Sequence, residues 1–202
     1  MAALPPTPAF ARVDLVIAPI EASRTFGRIH RKAFPNPLGF GKNATRFSDP
    51  RRRIEANRFG VLYLGSSLKV CFVETIVRDQ RDGVVGSVDI VEAEVDDRLF
   101  STLTVSSDLT LIDLCGDAPV QMGIPSDVVR GRTQGLARRW SVAIYSHPAR
   151  VDGILYPSRL NTEINLAIYD RAVPKLAPLT STDLQTAPGV GDVLTTFKVA
   201  LI

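Results

Sequence analysis

The stretch from Phe59 to Asp79, FGVLYLGSSLKVCFVETIVRD, constrains the fold more than any other part of the chain. Val61, Leu62, Tyr63 and Leu64 form a short β-rich apolar run. Gly65 breaks it, and Ser66 or Ser67 supplies a hydroxyl that can cap the first free amides of a helix. The helix is expected to run toward Arg78. Leu68, Cys71, Phe72, Thr75 and Ile76 make one row at helical spacing, and Val70, Val73 and Val77 make a second, so apolar surface covers most of the cylinder and predicts a buried helix. Glu74 stands within the second row. A carboxylate in an apolar setting is costly unless it is paired or used. Arg78, four residues on, offers an ordinary helix-surface ion pair, and spacing alone favours that reading over chemistry.

The remaining composition narrows the class. A chain of 202 residues, 45% hydrophobic and 22% charged, can bury the core of one globular domain, here taken as 1–202 with a proline-rich lead at 1–11. No run approaches the roughly 18 uninterrupted apolar residues of a membrane span. The opening MAALPPTPAFARVD is cut by prolines where a signal peptide needs an apolar core, so a cytoplasmic protein without a membrane partner is expected. Cys71 and Cys115 read as small core residues, not a disulfide. His30 and His147, the only histidines, have no Cys or acidic partner at a ligand spacing, so no metal is expected.

The net charge of +3 is unevenly spread. Residues 42–58 hold Lys42, Arg46, Arg51, Arg52, Arg53 and Arg58 against Asp49 and Glu55. Such a stretch suits an anionic partner: nucleic acid, a phosphate-bearing cofactor, or an acidic patch on another protein. A solvated basic face is the plain alternative.

Along the chain, 13–18 reads as a strand ended by Pro19. Residues 25–30 form another, with Arg28 between Phe26 and His30 on one face. Residues 32–50 are rich in Pro, Gly and Asn and read as loop. A phosphate-binding loop at 36–43 is rejected, because Asn36 and Asn43 stand where Gly and Ser or Thr are required. The alternating patterns of 87–95, 99–105 and 109–114 suggest antiparallel strands. Residues 132–146 read as a helix with Leu136, Trp140, Ala143 and Ile144 on one side and Arg138 and Arg139 on the other, ending before Pro148. Strands follow at 154–156, closed by Pro157 and Ser158, and at 165–169 and 193–201. The sum is a single α+β domain with a mixed, largely antiparallel sheet and few helices. Ser158 lacks the flanking glycines of a hydrolase nucleophile elbow and reads as a hydrogen-bond donor at a strand end.

Taken in order, Gly27-Arg28-Ile29-His30, Arg46-Phe47, Val61-Leu62-Tyr63-Leu64, Glu74-Thr75 and Asp152-Gly153-Ile154-Leu155-Tyr156-Pro157-Ser158 resemble the RES-domain toxins of bacterial RES–Xre toxin–antitoxin pairs, over roughly residues 12–170. The arginine, glutamate and serine that name the family fall on Arg28, Glu74 and Ser158. Ala44-Thr45 stands where relatives often have Gly-Gly. The resemblance implies an ADP-ribosyltransferase-like fold, with NAD as the substrate and its nicotinamide–ribose bond broken. It implies that ADP-ribose passes to water or phosphate, or alternatively to a protein. An Xre-type antitoxin is the expected partner, with nucleic acid reached only through it, and formation of a homo-oligomer stays open.

On that reading Glu74 and Arg28 are catalytic, and Arg28, Arg46, Tyr63 and Ser158 bind the cofactor. The carboxylate would stabilise the oxocarbenium-like ribose and hold a ribose hydroxyl. Arg28 and Arg46 would grip the pyrophosphate, Tyr63 would stack on the nicotinamide, and Ser158 would hydrogen-bond the cofactor. Two rivals remain in view. A non-catalytic basic module binding nucleic acid through 42–58 would lose affinity steeply with salt. An RNA-cleaving toxin would need the histidine pair commonly used for acid and base work, which is missing.

Overall fold

The computed structural model describes residues 3–51, 54–78, 80, 83 and 85–202. Its strands are β1 (Ile17–Ile20), β2 (Thr25–Arg31), β3 (Val61–Gly65), β4 (Val88–Ile90), β5 (Arg98–Val105), β6 (Leu109–Asp113), β7 (Gly153–Pro157), β8 (Ile164–Tyr169), β9 (Leu176–Asp183) and β10 (Val199–Leu201). The α-helices are α1 (Leu68–Phe72), α2 (Glu92–Asp96), α3 (Ala118–Gln121), α4 (Asp127–Arg130), α5 (Gly135–Tyr145) and α6 (Val190–Thr196). Eight strands lie in the order β1-β6-β7-β8-β3-β2-β5-β9. All neighbours are antiparallel except β6 and β7, and β4 pairs separately with β10 in parallel. The architecture is α+β with a large mixed sheet and few helices.

Alternation along β3 explains why the sheet carries a core on each face. Leu62 and Leu64 pack with Leu103, Leu166 and Ile168 on one side. Val61 lies on the other with Trp140, Ile144 and Tyr169, and Tyr63 packs against that cluster. A third cluster joins Val70, Phe72 and Ile76 to Ile29, Ile90 and Val193.

The leading stretch folds as strand, cap and helix, and Ser67 is the cap. Its Oγ accepts the Val70 amide at 3.1 Å while its hydroxyl donates to Glu163. The α-helix does not run on to Arg78. It stops at Phe72 and widens into a π-helix over Val73–Val77. Continuous α-helical spacing would set Glu74 one turn above Val70, which is fully buried, and the wider turn moves the carboxylate off that row. Two glycines let α1 lie flat on the sheet. A Cβ at Gly65 would come 2.6 Å from Val70 Cγ1 and 2.7 Å from Cys71 Sγ, and one at Gly27 would come 2.7 Å from the Phe100 ring.

Several strand expectations need correction. The first strand is 17–20, not 13–18, and it contains Pro19, which is tolerated because β1 is an edge strand. Only 88–90 of the 87–95 pattern is extended and its pairing is parallel; Glu92–Asp96 is a helix in which Val95 alone is fully buried. Glu and Ala favour that helix more than a strand. Of 193–201, residues 193–196 belong to α6 and only 199–201 are extended, as β10. Val190 and Val193 are buried and Leu194 and Phe197 pack on the same cluster, a three-four spacing that defines a helix face. The long helix begins at Gly135, three residues later than expected.

Candidate active site

β2 and β3 share a single registered pair, Gly27 opposite Gly65. Beyond it the sheet opens, and a cavity of about 780 Å³ occupies the opening. That volume suits a cofactor-sized ligand. Arg28 comes from β2, Tyr63 from β3, Glu74, Thr75 and Arg78 from the π-helix and its end, and Asn43 to Arg46 from the loop before β3. Arg132, Tyr156, Arg159 and Asn165 complete the far wall. Among the described residues, five arginines therefore line the cavity (Arg28, Arg46, Arg78, Arg132 and Arg159), against one carboxylate, Glu74.

Glu74 is held at both oxygens. Oε1 accepts the Ser158 hydroxyl at 2.7 Å and the Asn165 amide at 3.4 Å. Oε2 faces Arg78 at 3.8 Å, so the i,i+4 ion pair expected from spacing is present together with the cavity position. The side chain keeps 23% of its exposure, so this glutamate opens on the cavity and is not sealed in the core. Ser158 is 3% exposed and stands behind Glu74, outside the cavity wall.

Arg28 and Arg46 already donate to backbone. Arg28 Nη1 reaches the carbonyls of Pro37 and Gly39, pinning the loop after β2. Burial pushes its pKa down to about 10, which leaves it charged at neutral pH. Arg46 is 8% exposed and donates to the Gly131 carbonyl at 3.0 Å, and burial lowers its pKa also. Tyr63 lines the wall while its hydroxyl fastens the loop. It accepts the Phe47 amide at 2.8 Å and lies 3.0 Å from Thr45 Oγ1. Burial raises the pKa of Tyr63, and raises that of Tyr156 further. Cys71 also touches the cavity, but burial pushes its thiol up to about 12, so it is not a thiolate nucleophile at neutral pH.

The basic stretch 42–58 does not form one solvated face. Arg46 turns inward to the cavity, and Arg51 turns onto Asp49, with its guanidinium 5.9 Å from the Phe59 ring centre. Arg52 and Arg53 lie outside the described residues. Arg138, expected on the polar side of the long helix, braces the same loop through the Thr45 carbonyl at 2.9 Å. Among the described residues no three His, Cys, Asp or Glu side chains gather as a metal site, and no helix is long and apolar enough to cross a membrane.

Sequence reasoning singled out Arg28, Arg46, Tyr63, Glu74 and Ser158; the first four line the cavity, whereas Ser158, expected to bind the cofactor, lies outside its wall and donates to Glu74. That reasoning did not find Arg132, Arg159 or Asn165. A signal existed for Asn165, the one polar residue within the apolar run Ile164–Tyr169. Arg132 and Arg159 carry none, because their places depend on loops.

Comparison with known proteins agrees with this geometry. The chain is 39% identical over 100 residues to "Probable toxin y4kH" of Sinorhizobium fredii (strain NBRC 101917 / NGR234), covering 50% of this chain and 79% of that protein. Its fold matches the crystal structure of the M. tuberculosis MbcT–MbcA toxin–antitoxin complex with a TM-score of 0.56 at 21% identity, over 89% of this chain and 91% of the other. The shared fold is the ADP-ribosyltransferase-like α+β architecture. The RES domain family model matches residues 22–187, a span that holds Arg28, Glu74 and Ser158 and every described wall of the cavity, and the chain belongs to the RES domain family.

Proposed function

We propose that this protein is the toxin of a toxin–antitoxin pair and consumes NAD by breaking the nicotinamide–ribose bond. The observation that carries the reading is that, among the described residues, one carboxylate, Glu74, stands in a cavity lined by five arginines. A dinucleotide brings the two charges this wall suits, an anionic pyrophosphate and a cationic nicotinamide. As the carbon–nitrogen bond breaks, its electron pair leaves with neutral nicotinamide and positive charge develops on the ribose. A fixed carboxylate stabilises that charge and can hold a ribose hydroxyl. Arg28 and Arg46 serve the pyrophosphate through guanidinium donors, and the Tyr63 ring offers the nicotinamide a face. No metal is needed for this chemistry.

Water or inorganic phosphate is the acceptor on this reading. Arginines exceed what one pyrophosphate needs, and fixed cations concentrate a small anion beside the ribose. Arg51, bound to Asp49, is not among them; Arg78, Arg132 and Arg159 line the cavity instead. The partner is an Xre-type antitoxin that covers the cavity, and nucleic acid is met only through it. The structural relative from an MbcT–MbcA toxin–antitoxin complex supports a protein partner. The inward turn of Arg46 and the pairing of Arg51 count against a basic nucleic-acid-binding face.

The test is to incubate purified protein with NAD, follow nicotinamide by chromatography with and without phosphate, and weigh the product. Free ADP-ribose or its phosphorylated form is expected. A discrete labelled band in lysate with little free product would make the protein a protein ADP-ribosyltransferase, and intact NAD would reject the reading.

A further inference from the structure

Four residues lie in one cross-strand row on the cavity side of the sheet: Tyr156 on β7 opposite Asn165 on β8, Asn165 opposite Gly65 on β3, and Gly65 opposite Gly27 on β2. The two glycines leave room for α1 to settle on the sheet, which brings the π-helix and Glu74 over the rest of the row. Asn165 is 4% exposed, and Glu74 Oε1 is the side-chain partner its amide meets, at 3.4 Å. Facing a carboxylate oxygen, that amide must present its NH₂ end. Ser158 donates to the same oxygen at 2.7 Å, leaving Oε2 toward Arg78 at the longer distance of 3.8 Å.

We propose that Asn165 is a positioning residue which, with Ser158, anchors Oε1 of Glu74 so that Oε2 is the oxygen turned to the substrate; this rests on the NAD-cleaving function proposed above. The two oxygens thereby acquire different tasks. One is fixed by two neutral donors from strands that cannot move independently, since Asn165 is paired on both sides and Ser158 closes β7. The other meets a looser ion pair with Arg78, which a ribose hydroxyl or a developing positive charge can replace. A carboxylate held at one oxygen loses little freedom when it engages substrate, and that preorganisation acts in the reaction step more than in binding. From its place in the far wall Asn165 thus works through Glu74.

The experiment measures nicotinamide release from NAD by the wild type, Asn165→Ala, Glu74→Asp and the double variant. Asn165→Ala should lower kcat about tenfold with KM within about twofold. The shorter Glu74→Asp carboxylate cannot reach the anchor, so Asn165→Ala should cost little further in that background. An equal loss in both backgrounds, or a loss confined to KM, overturns the proposal. Should Asn165→Ala not fold, Asn165→Leu keeps a similar volume, removes the donor without adding a charge beside Glu74 and carries the same expectations. Crystal structures of wild type and variant decide independently of turnover: the Glu74 carboxylate should rotate away from the Ser158 hydroxyl when the amide is lost, and an unmoved carboxylate overturns the proposal. If the wild type releases no nicotinamide, the NAD reading fails while this structural comparison still judges the anchor.

Discussion

At the scale of single residues, charge is concentrated where the fold can use it. Glu74 carries the only carboxylate that the described residues place in the cavity wall, and replacing it with Gln keeps the shape and both donors while removing the negative charge. We expect Glu74→Gln to lower nicotinamide release by about a hundredfold or more, with an unchanged circular dichroism spectrum. Near-normal turnover would remove Glu74 from the catalytic role. Arg28 is a different case, because its guanidinium already holds the carbonyls of Pro37 and Gly39 and has further donors to offer a ligand. A lysine supplies one compact ammonium in place of that fork. Arg28→Lys should therefore raise KM for NAD by about tenfold or more while the melting temperature falls only slightly, and an unchanged KM would mean that Arg28 serves the loop alone.

At the scale of elements, the position of Glu74 is set by how closely its helix approaches the sheet. A methyl group at Gly65 meets Val70 and Cys71 of α1 at 2.6 and 2.7 Å, so Gly65→Ala must push the helix outward and carry Glu74 off Ser158. The variant should lose about 1–3 kcal/mol of stability by denaturant unfolding and a larger share of kcat than of NAD binding. Normal kcat with a normal melting curve would refute the link. The same elements show what the sequence made legible. Strand β3, the cap and the apolar rows of its helix followed from local pattern, because Gly65 and Ser67 act on their immediate neighbours. The π turn did not, since it arises from seating Glu74 over Asn165, which lies 91 residues away in the chain. Strand β9 was invisible for a related reason. As an edge strand with Pro178 and a mostly exposed run beyond it, it has no alternating apolar face to betray it. In the expected strand 193–201, Val193, Thr195 and Thr196 favour extension locally, whereas the three-four spacing that seats α6 begins at Val190, before that strand, and continues through Val193, Leu194 and Phe197.

For the whole molecule, acid tolerance and partnership follow from where charges are paired. Burial pushes the carboxyls of Asp49 and Glu163 up, but Arg51 outweighs it for the first and Lys69 with Ser67 for the second, so both pKa values end below their ordinary range. A group depressed on folding adds stability that is present above its unfolded pKa and is lost as pH falls through the folded one. The melting temperature should begin to decline below about pH 6.5, because burial lowers the pKa of the His30 ring, and fall further below about pH 4 as these carboxylates protonate. A melting temperature that rises on acidification would contradict these pairings. Glu163 also accepts the Ser158 amide through its backbone carbonyl at 2.6 Å, so loss of its ion pair with Lys69 at low pH should loosen the turn behind Glu74. The five arginines make a larger demand. An open cavity of that charge draws anions, and an enzyme that drains NAD harms the cell that makes it unless something covers the mouth. An antitoxin with an acidic segment meets both needs, because opposite charge speeds encounter and excludes the dinucleotide once bound. We expect expression of the chain alone to lower cellular NAD and stop growth, Glu74→Gln to grow normally, and co-expression with the proposed antitoxin to restore growth and yield a stable complex. Its association rate should fall steeply as salt is raised. Harmless expression of the wild-type chain at good levels, with NAD undiminished, would refute both the toxin and the partner.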